Sequence, residues 1–150
     1  MHSADDTSDT AFDRGYETWL MLEARQRNPR IVLSGLIWGV PGWVANASTG
    51  GFFGHSNIEY QLAWLRGLLH RKHLRIDAIG SGYNEHGFDA NFVKEFKAAL
   101  LNDTDLAHVK TVAADQCCGS EYRIVDAMRD DPAVAAAVDV VGTHCPGPIN

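Results

Sequence analysis

Basic residues are scarce in this sequence, and with them any sign of a nucleic-acid surface. Lys and Arg number 13 against 19 Asp and Glu, for a formal net charge of −6, whereas phosphate binding needs clustered cations. The one dense basic stretch, His70 to Arg75, reads as a helix end, where positive charge complements the dipole. Apolar runs are short. None approaches the ~20 residues of a membrane helix, so no membrane span is expected. The opening MHSADDTSDT is polar and acidic, and this chain shows no signal peptide. Cysteines number three, which makes neither a disulfide framework nor a zinc pattern. Cys117 and Cys118 are adjacent; two inert thiols are the expectation, oxidation of the pair the alternative. His86, His144 and the cysteines share no ligand spacing, so neither a metal nor any other cofactor is expected. Two glycosylation-type triplets, Asn46-Ala47-Ser48 and Asn102-Asp103-Thr104, arise often by chance and carry little weight. Linkers and low-complexity segments are missing too, and 150 residues with 45% hydrophobic content suit a single core.

What is present is a rhythm of helix and strand. GYETWLMLEARQRN, from Gly15 to Asn28, reads as a helix with Trp19, Leu20, Leu22 and Ala24 apolar and Pro29 as its stop. Ile31 to Ile37 reads as a buried strand, followed by a Gly/Pro-rich loop. Asn57 to Arg71 is a helix with Ile58, Leu62, Leu65 and Leu69 at helical spacing, and Arg75 to Ile79 a strand. Asp89 to Leu101 is a helix with Phe92, Phe96 and Leu100 on one face, and Val109 to Ala113 a strand. Glu121 to Arg129 and Val138 to Val141 complete the series as helix and strand. Strict alternation with strands apolar on both faces points to a parallel sheet covered by helices.

Two architectures fit, an open doubly wound sheet or part of a barrel. No G-x-G-x-x-G or Walker A pattern follows a strand, which argues against a nucleotide-binding sheet. The conspicuous residues instead cluster in the loops after the strands: Trp38 and Trp43, Asn84 and Glu85, Asp115, and His144. A (β/α)8 barrel gathers such loops on its functional face. A closed barrel needs roughly 200 residues or more, so the expected fold is an incomplete TIM barrel, with residues 1–150 an internal fragment of a longer catalytic domain.

The corner IGSGYNEHGFDAN, from Ile79 to Asn91, places Glu85 directly after Asn84 where a strand runs out. Glycosidic bonds are broken by paired carboxylates, one protonating the leaving oxygen while the other attacks carbon or activates water. A carboxyl partly covered by aromatic rings holds its proton to higher pH, which suits the first role. A neighbouring Asn can bind the sugar's 2-hydroxyl, and a tryptophan offers a flat face to the ring. An Asn-Glu pair alone is more often a solvated loop. Phe52 and Phe53 read as a packing anchor, with a lipid-facing tip as the rarer alternative.

Four blocks in order raise the weight of that corner: RGYETWLMLEARQRNP (Arg14 to Pro29), LSGLIWGVPGWV (Leu33 to Val44), IDAIGSGYNEHGFDANFVK (Ile76 to Lys94) and VDVVGTHCPG (Val138 to Gly147). Together they resemble the galactocerebrosidase family of retaining β-glycosidases over nearly the whole chain. The resemblance implies a (β/α)8 barrel represented here by about strands three to six. It implies a double-displacement reaction on the β-galactosyl bond of galactosylceramide, with Glu85 as general acid/base. It also implies Asn84 as a sugar contact, Trp38 lining the galactose site, Trp43 shaping its loop, and His144 at the rim, in a substrate contact or a structural hydrogen bond. The family's nucleophile is a second glutamate on a later strand, outside this chain, so the isolated fragment is expected to be inactive. A glycosphingolipid or other β-galactoside is the implied partner, with a lipid-presenting protein as a further possibility, and the implied location is lysosomal or secreted. Between Gly80 and Asn84 this chain has one residue more than the family pattern, and Tyr83 stands where the family has Trp. A bulge at Gly82 is the expected remedy, since an extra strand residue would otherwise turn Glu85 to the other face. Another retaining β-glycosidase of the same barrel type, or a barrel that binds sugar without cleaving it, are the competing readings.

Overall fold

The computed structural model describes residues 8–46, 50–120 and 122–144. Within them, a parallel sheet of four strands has the order β1-β2-β3-β4, with β1 at Ser34–Gly35, β2 at Ala78–Gly80, β3 at Lys110–Gln116 and β4 at Val140–Thr143. Helices α1 (Glu17–Arg27), α2 (His55–Lys72), α3 (Ala90–Asn102), α4 (Arg123–Asp130) and α5 (Pro132–Ala137) alternate with them. The protein is thus an α/β fold whose strands all point their carboxyl ends the same way.

Sequence spacing explains the central helices. In α2, Ile58, Leu62, Leu65 and Leu68 form the buried row, so the stripe closes on Leu68 rather than on Leu69. Gly67 is open for a reason: a Cβ there would occupy the space of the Phe12 ring, which comes from the 3-10 turn Asp9–Phe12 and lies buried against the helix. The last turn of α2 holds His70, Arg71 and Lys72, and His73 closes it in the left-handed conformation. In α3, Asp89 caps the amino end by accepting from the Phe92 N–H at 2.8 Å. Phe92, Val93, Phe96 and Leu100 are buried, joining Ile58, Leu65, Leu68, Leu74 and Ile79 in the main core.

The amino end of the sheet is fastened twice by the same device. Asp77, just before β2, accepts from the Leu33 N–H at 2.9 Å and from the Arg25 guanidinium at 3.0 Å. Asp139, just before β4, accepts from the Thr111 N–H at 2.7 Å, the Thr111 hydroxyl at 3.1 Å and the Lys97 ammonium at 2.6 Å. Each aspartate ties a neighbouring strand and a covering helix to one carboxylate. Burial pushes both carboxyls up, but these hydrogen bonds and charges outweigh it and hold both below the usual aspartate value.

Several expectations change. The strand foreseen over Ile31 to Ile37 is reduced to Ser34–Gly35, with β2 its one paired neighbour, although Leu33 O and Ile37 O on either side still accept from the chain around β2. Helix α1 buries Thr18, while Trp19, Leu20 and Leu22 are exposed; Met21 is its apolar residue packed on the core. The fourth helix begins at Arg123, residue 121 lying outside the described residues. A fifth helix, α5, interrupts the strict alternation, started by Asp131 accepting from the Ala133 N–H with Pro132 in the first turn. Ala47 and Ser48 of one glycosylation triplet, and Cys145, Pro146 and Gly147 of the last loop, also fall outside the described residues.

Candidate active site

At the carboxyl end of the sheet each loop is tied to the next by a backbone hydrogen bond. The Asn84 N–H donates to Ile37 O at 3.0 Å, the Glu85 N–H to Asp115 O at 3.0 Å, and the His144 N–H to Gln116 O at 2.9 Å. Those three bonds join the loops after β1, β2 and β4 to one another and to the last residues of β3. Functional side chains on separate strands are thereby held in one surface.

The loop after β2 is a tight turn. Tyr83 and Gly87 exchange backbone hydrogen bonds, 2.9 and 3.0 Å long, and Glu85 stands between them at φ 63°. A non-glycine residue in that region carries a backbone cost, and such residues concentrate where function needs an unusual geometry. Asp115 (φ 57°), near the end of β3, and Cys118 (φ 65°), just after that strand, share the left-handed conformation. The face of the loop is buttressed by Phe52, whose ring stacks on Tyr83 with centroids 4.1 Å apart and planes 9° apart. Phe53 meets Phe92 edge-on at 5.6 Å. Both phenylalanines are packing anchors here.

The bulge expected at Gly82 is absent from the β2 ladder, which pairs with β3 without a slip. β2 ends at Gly80, and Ser81 and Gly82 lead from it into the Tyr83–Gly87 turn. The register shift lies one strand over, between Ala114 and Gln116 where β3 meets β4, and the residue skipped is Asp115. Gly82 matters differently: a Cβ there would lie 2.8 Å from Ala114 O and 3.2 Å from Gly87 O. The loop passes so close to β3 that no side chain fits.

Glu85, His144 and Trp38 come together. The Glu85 Oε1 is 3.3 Å from His144 Nε2, and His144 Nδ1 is 3.3 Å from Asp115 Oδ1. Trp38 meets the His144 ring edge-on with centroids 6.3 Å apart and is 59% exposed. The Glu85 side chain is 37% exposed, so the carboxyl is open to a ligand while resting on the histidine. Asn84 goes the other way. Its side chain is fully buried, and neither its Oδ1 nor its Nδ2 has a hydrogen-bond partner. Buried amides without partners are rare and costly. Gln116 Oε1 and the Trp43 indole N–H are buried in the same condition, Trp43 packing edge-on against Tyr60 at 5.7 Å. A cavity of about 140 Å³ beside β1, lined by Ile37, Tyr60, Gln61 and Trp64, contains none of the clustered residues. Glu85, His144 and Trp38 lie on the exposed rim and not in the cavity.

One contact escaped sequence reasoning, and for the cysteine pair the alternative of oxidation displaced the expectation. Asp115 was visible as a polar residue after a strand, but nothing in the order of residues announces its contact with His144, 29 positions away. Cys117 and Cys118, expected as inert thiols, form a disulfide between adjacent residues; the left-handed turn at Cys118 folds the chain back so that neighbouring sulfurs meet. Among the described residues, no three His, Cys, Asp or Glu side chains are arranged to hold a metal ion, and no helix is long and apolar enough to cross a membrane.

A carboxyl, an imidazole and an exposed indole at the carboxyl ends of parallel strands define an α/β segment of glycosidase type. The chain belongs to glycosyl hydrolase family 59, whose profile matches residues 1–149. It is similar to a galactocerebrosidase of Danio rerio, 40% identical over 98% of this chain, and to those of Salmo salar and Homo sapiens, each 38% identical over 93% of it. The chain spans about a fifth of the length of these relatives, 21%, 20% and 20% respectively.

Proposed function

We propose that this segment carries the acid/base half of a retaining β-galactosidase acting on galactosylceramide in the lysosome. Glu85 protonates the glycosidic oxygen as the bond to the ceramide breaks, then takes a proton from the water that releases galactose. The nucleophilic carboxylate comes from chain beyond this segment. Trp38 lies against the apolar face of the sugar. Asn84 is assigned the 2-hydroxyl because its amide has no partner among the described residues; since that amide is covered, binding there requires neighbouring side chains to part. The sheet is proposed to be about strands three to six of a (β/α)8 barrel. Exposed apolar residues at its two edges support this: Val32 and Leu36 beside β1, Val140 and Val141 in β4.

The observation that carries the reading is the meeting of Glu85, His144 and Trp38 on one open rim. The test is Glu85→Gln in the complete polypeptide. Hydrolysis of galactosylceramide is expected to fall by roughly 10²- to 10⁴-fold, the usual worth of a general acid. Release of dinitrophenol from a dinitrophenyl galactoside in the first step should be largely spared, because that leaving group needs no proton. Normal galactosylceramide turnover in the variant would falsify the assignment.

A further inference from the structure

Asp115 touches the acid/base machinery in two ways. Its carbonyl accepts the Glu85 N–H at 3.0 Å, fixing the height of the Glu85 loop. Its carboxylate, through Oδ1, faces His144 Nδ1 at 3.3 Å, while the other nitrogen of that ring faces Glu85 Oε1 at 3.3 Å. The three side chains form a line, Asp115 to His144 to Glu85, with the imidazole in the middle. An aspartate at this point is not an ordinary strand residue. It is the one skipped by the β3–β4 register, it sits at φ 57°, and its side chain is 19% exposed.

We propose that Asp115 is a positioning residue for the protonation step. A neutral imidazole has one N–H, and which nitrogen carries it is set by the hydrogen bond the ring makes. A carboxylate can only accept, so Asp115 places that proton on Nδ1. Nε2 is left with its lone pair on the side of Glu85 Oε1, 3.3 Å away, so the ring offers an acceptor, not a second donor, to the carboxyl that delivers the proton. As the glycosidic bond breaks, the carboxyl proton passes from Glu85 to the departing oxygen, and Glu85 becomes a carboxylate. When water attacks in the second step, its proton returns to Glu85. His144 ends each cycle with the proton count it began with. The bond to the Asp115 carbonyl does the complementary work of holding the carboxyl at a fixed depth.

This inference rests on the reading of Glu85 as the acid, and the experiment separates the two. Asparagine is close to aspartate in size and tolerates the left-handed backbone, so Asp115→Asn is expected to fold, with the thermal midpoint as the check. Its amide can donate to Nδ1, which moves the ring proton to Nε2 and points a donor at Glu85. In the complete polypeptide, the kcat for galactosylceramide is expected to fall by about 10- to 100-fold with KM unchanged, a part of what a general acid supplies. The first step with a dinitrophenyl galactoside should be unaffected. The ¹⁵N resonances of His144 should report the proton on Nδ1 in the parent protein and on Nε2 in the variant. Equal losses on both substrates, or an unchanged rate with the tautomer unchanged, would overturn the proposal while Glu85→Gln still behaves as the loss of an acid. Normal turnover in Glu85→Gln would overturn both.

Discussion

Replacing Gly82 with alanine puts a methyl group into the narrowest place between the Glu85 loop and β3. The new Cβ would lie 2.8 Å from Ala114 O, and ordinary contact begins at 3.4 Å, so about 0.6 Å must be found. It cannot be found in side chains, because the three nearest atoms all belong to the backbone of Ala114 and Gly87. Ala113 and Ala114 are held in the sheet by pairing with Val141 and Gly142 of β4. The loop therefore moves, and with it the Glu85 N–H bond to Asp115 O. Overpacking of this kind costs about 1–3 kcal/mol. Catalytic groups must hold their places to within about 0.5 Å, and a shift of about 1 Å costs on the order of 10²-fold in rate. A displacement near 0.6 Å should lower kcat/KM for a galactoside by about 10- to 100-fold. Gly80→Ala is the control: a Cβ there meets its nearest atoms at 3.6 to 3.7 Å, ordinary contact. The assay is kcat/KM and thermal midpoint for both variants of the complete polypeptide. Gly82→Ala with parental rate and midpoint, or Gly80→Ala damaged to the same extent, would refute the close-approach argument.

Two further outcomes are expected. Glu85→Gly should abolish galactosylceramide hydrolysis yet raise unfolding stability by about 1 kcal/mol, since glycine adopts φ 63° without the Cβ penalty; a lower denaturation midpoint would mean the loop is not strained at Glu85. Asp139→Asn should destabilise the protein near neutral pH, with the penalty shrinking under acid. The folded Asp139 carboxyl is held below its unfolded value of about 3.9, so its contribution is present above that pH and is lost as pH falls through the lower folded value. Thermal midpoints of parent and variant measured from pH 7 to pH 3 should converge, and parallel curves would contradict the role given to this carboxylate.

Legibility followed periodicity and local chemistry. Helices α2 and α3 were readable because Ile58, Leu62 and Leu65, then Phe92, Phe96 and Leu100, repeat at helical spacing and are in fact buried. Helix α1 shows the limit of the same signal: its apolar residues exist, but Trp19 stands 62% exposed, and a sequence pattern cannot say what an apolar face will meet. Helix α5, PAVAAA, has too little apolar contrast for a periodicity, although Asp131-Pro132 was a legible start signal. Strand-end position singled out Trp38, Glu85 and His144, which the fold brings together because parallel strands deliver their following loops to one edge. Asn84 was read as Glu85's partner at the surface, but adjacent residues in a tight turn point opposite ways, and its side chain is buried. The bulge was looked for at Gly82, where the extra residue is. The register shift of the sheet lies at Asp115, and β2 ends at Gly80, short of Gly82.

The two ends of the sheet divide stability from chemistry. At the amino end, Asp77 and Asp139 repeat one motif, an aspartate accepting from a strand N–H and a helix cation, and every polar atom named there has its partner. At the carboxyl end three non-glycine residues, Glu85, Asp115 and Cys118, sit in the left-handed region, and the amide of Asn84 and the side-chain Oε1 of Gln116 are buried without partners among the described residues. Costs of this sort persist only where the surrounding structure enforces them. The enforcement is traceable here, through the Phe52 stack on Tyr83 and the backbone bonds from Glu85 to Asp115 and from His144 to Gln116. Relaxing any one of those costs, by glycine at Glu85 or by a partner for Asn84, would make this end more like the other. The chain would gain stability and lose the arrangement in which an exposed carboxyl, an imidazole and an indole meet on one open rim.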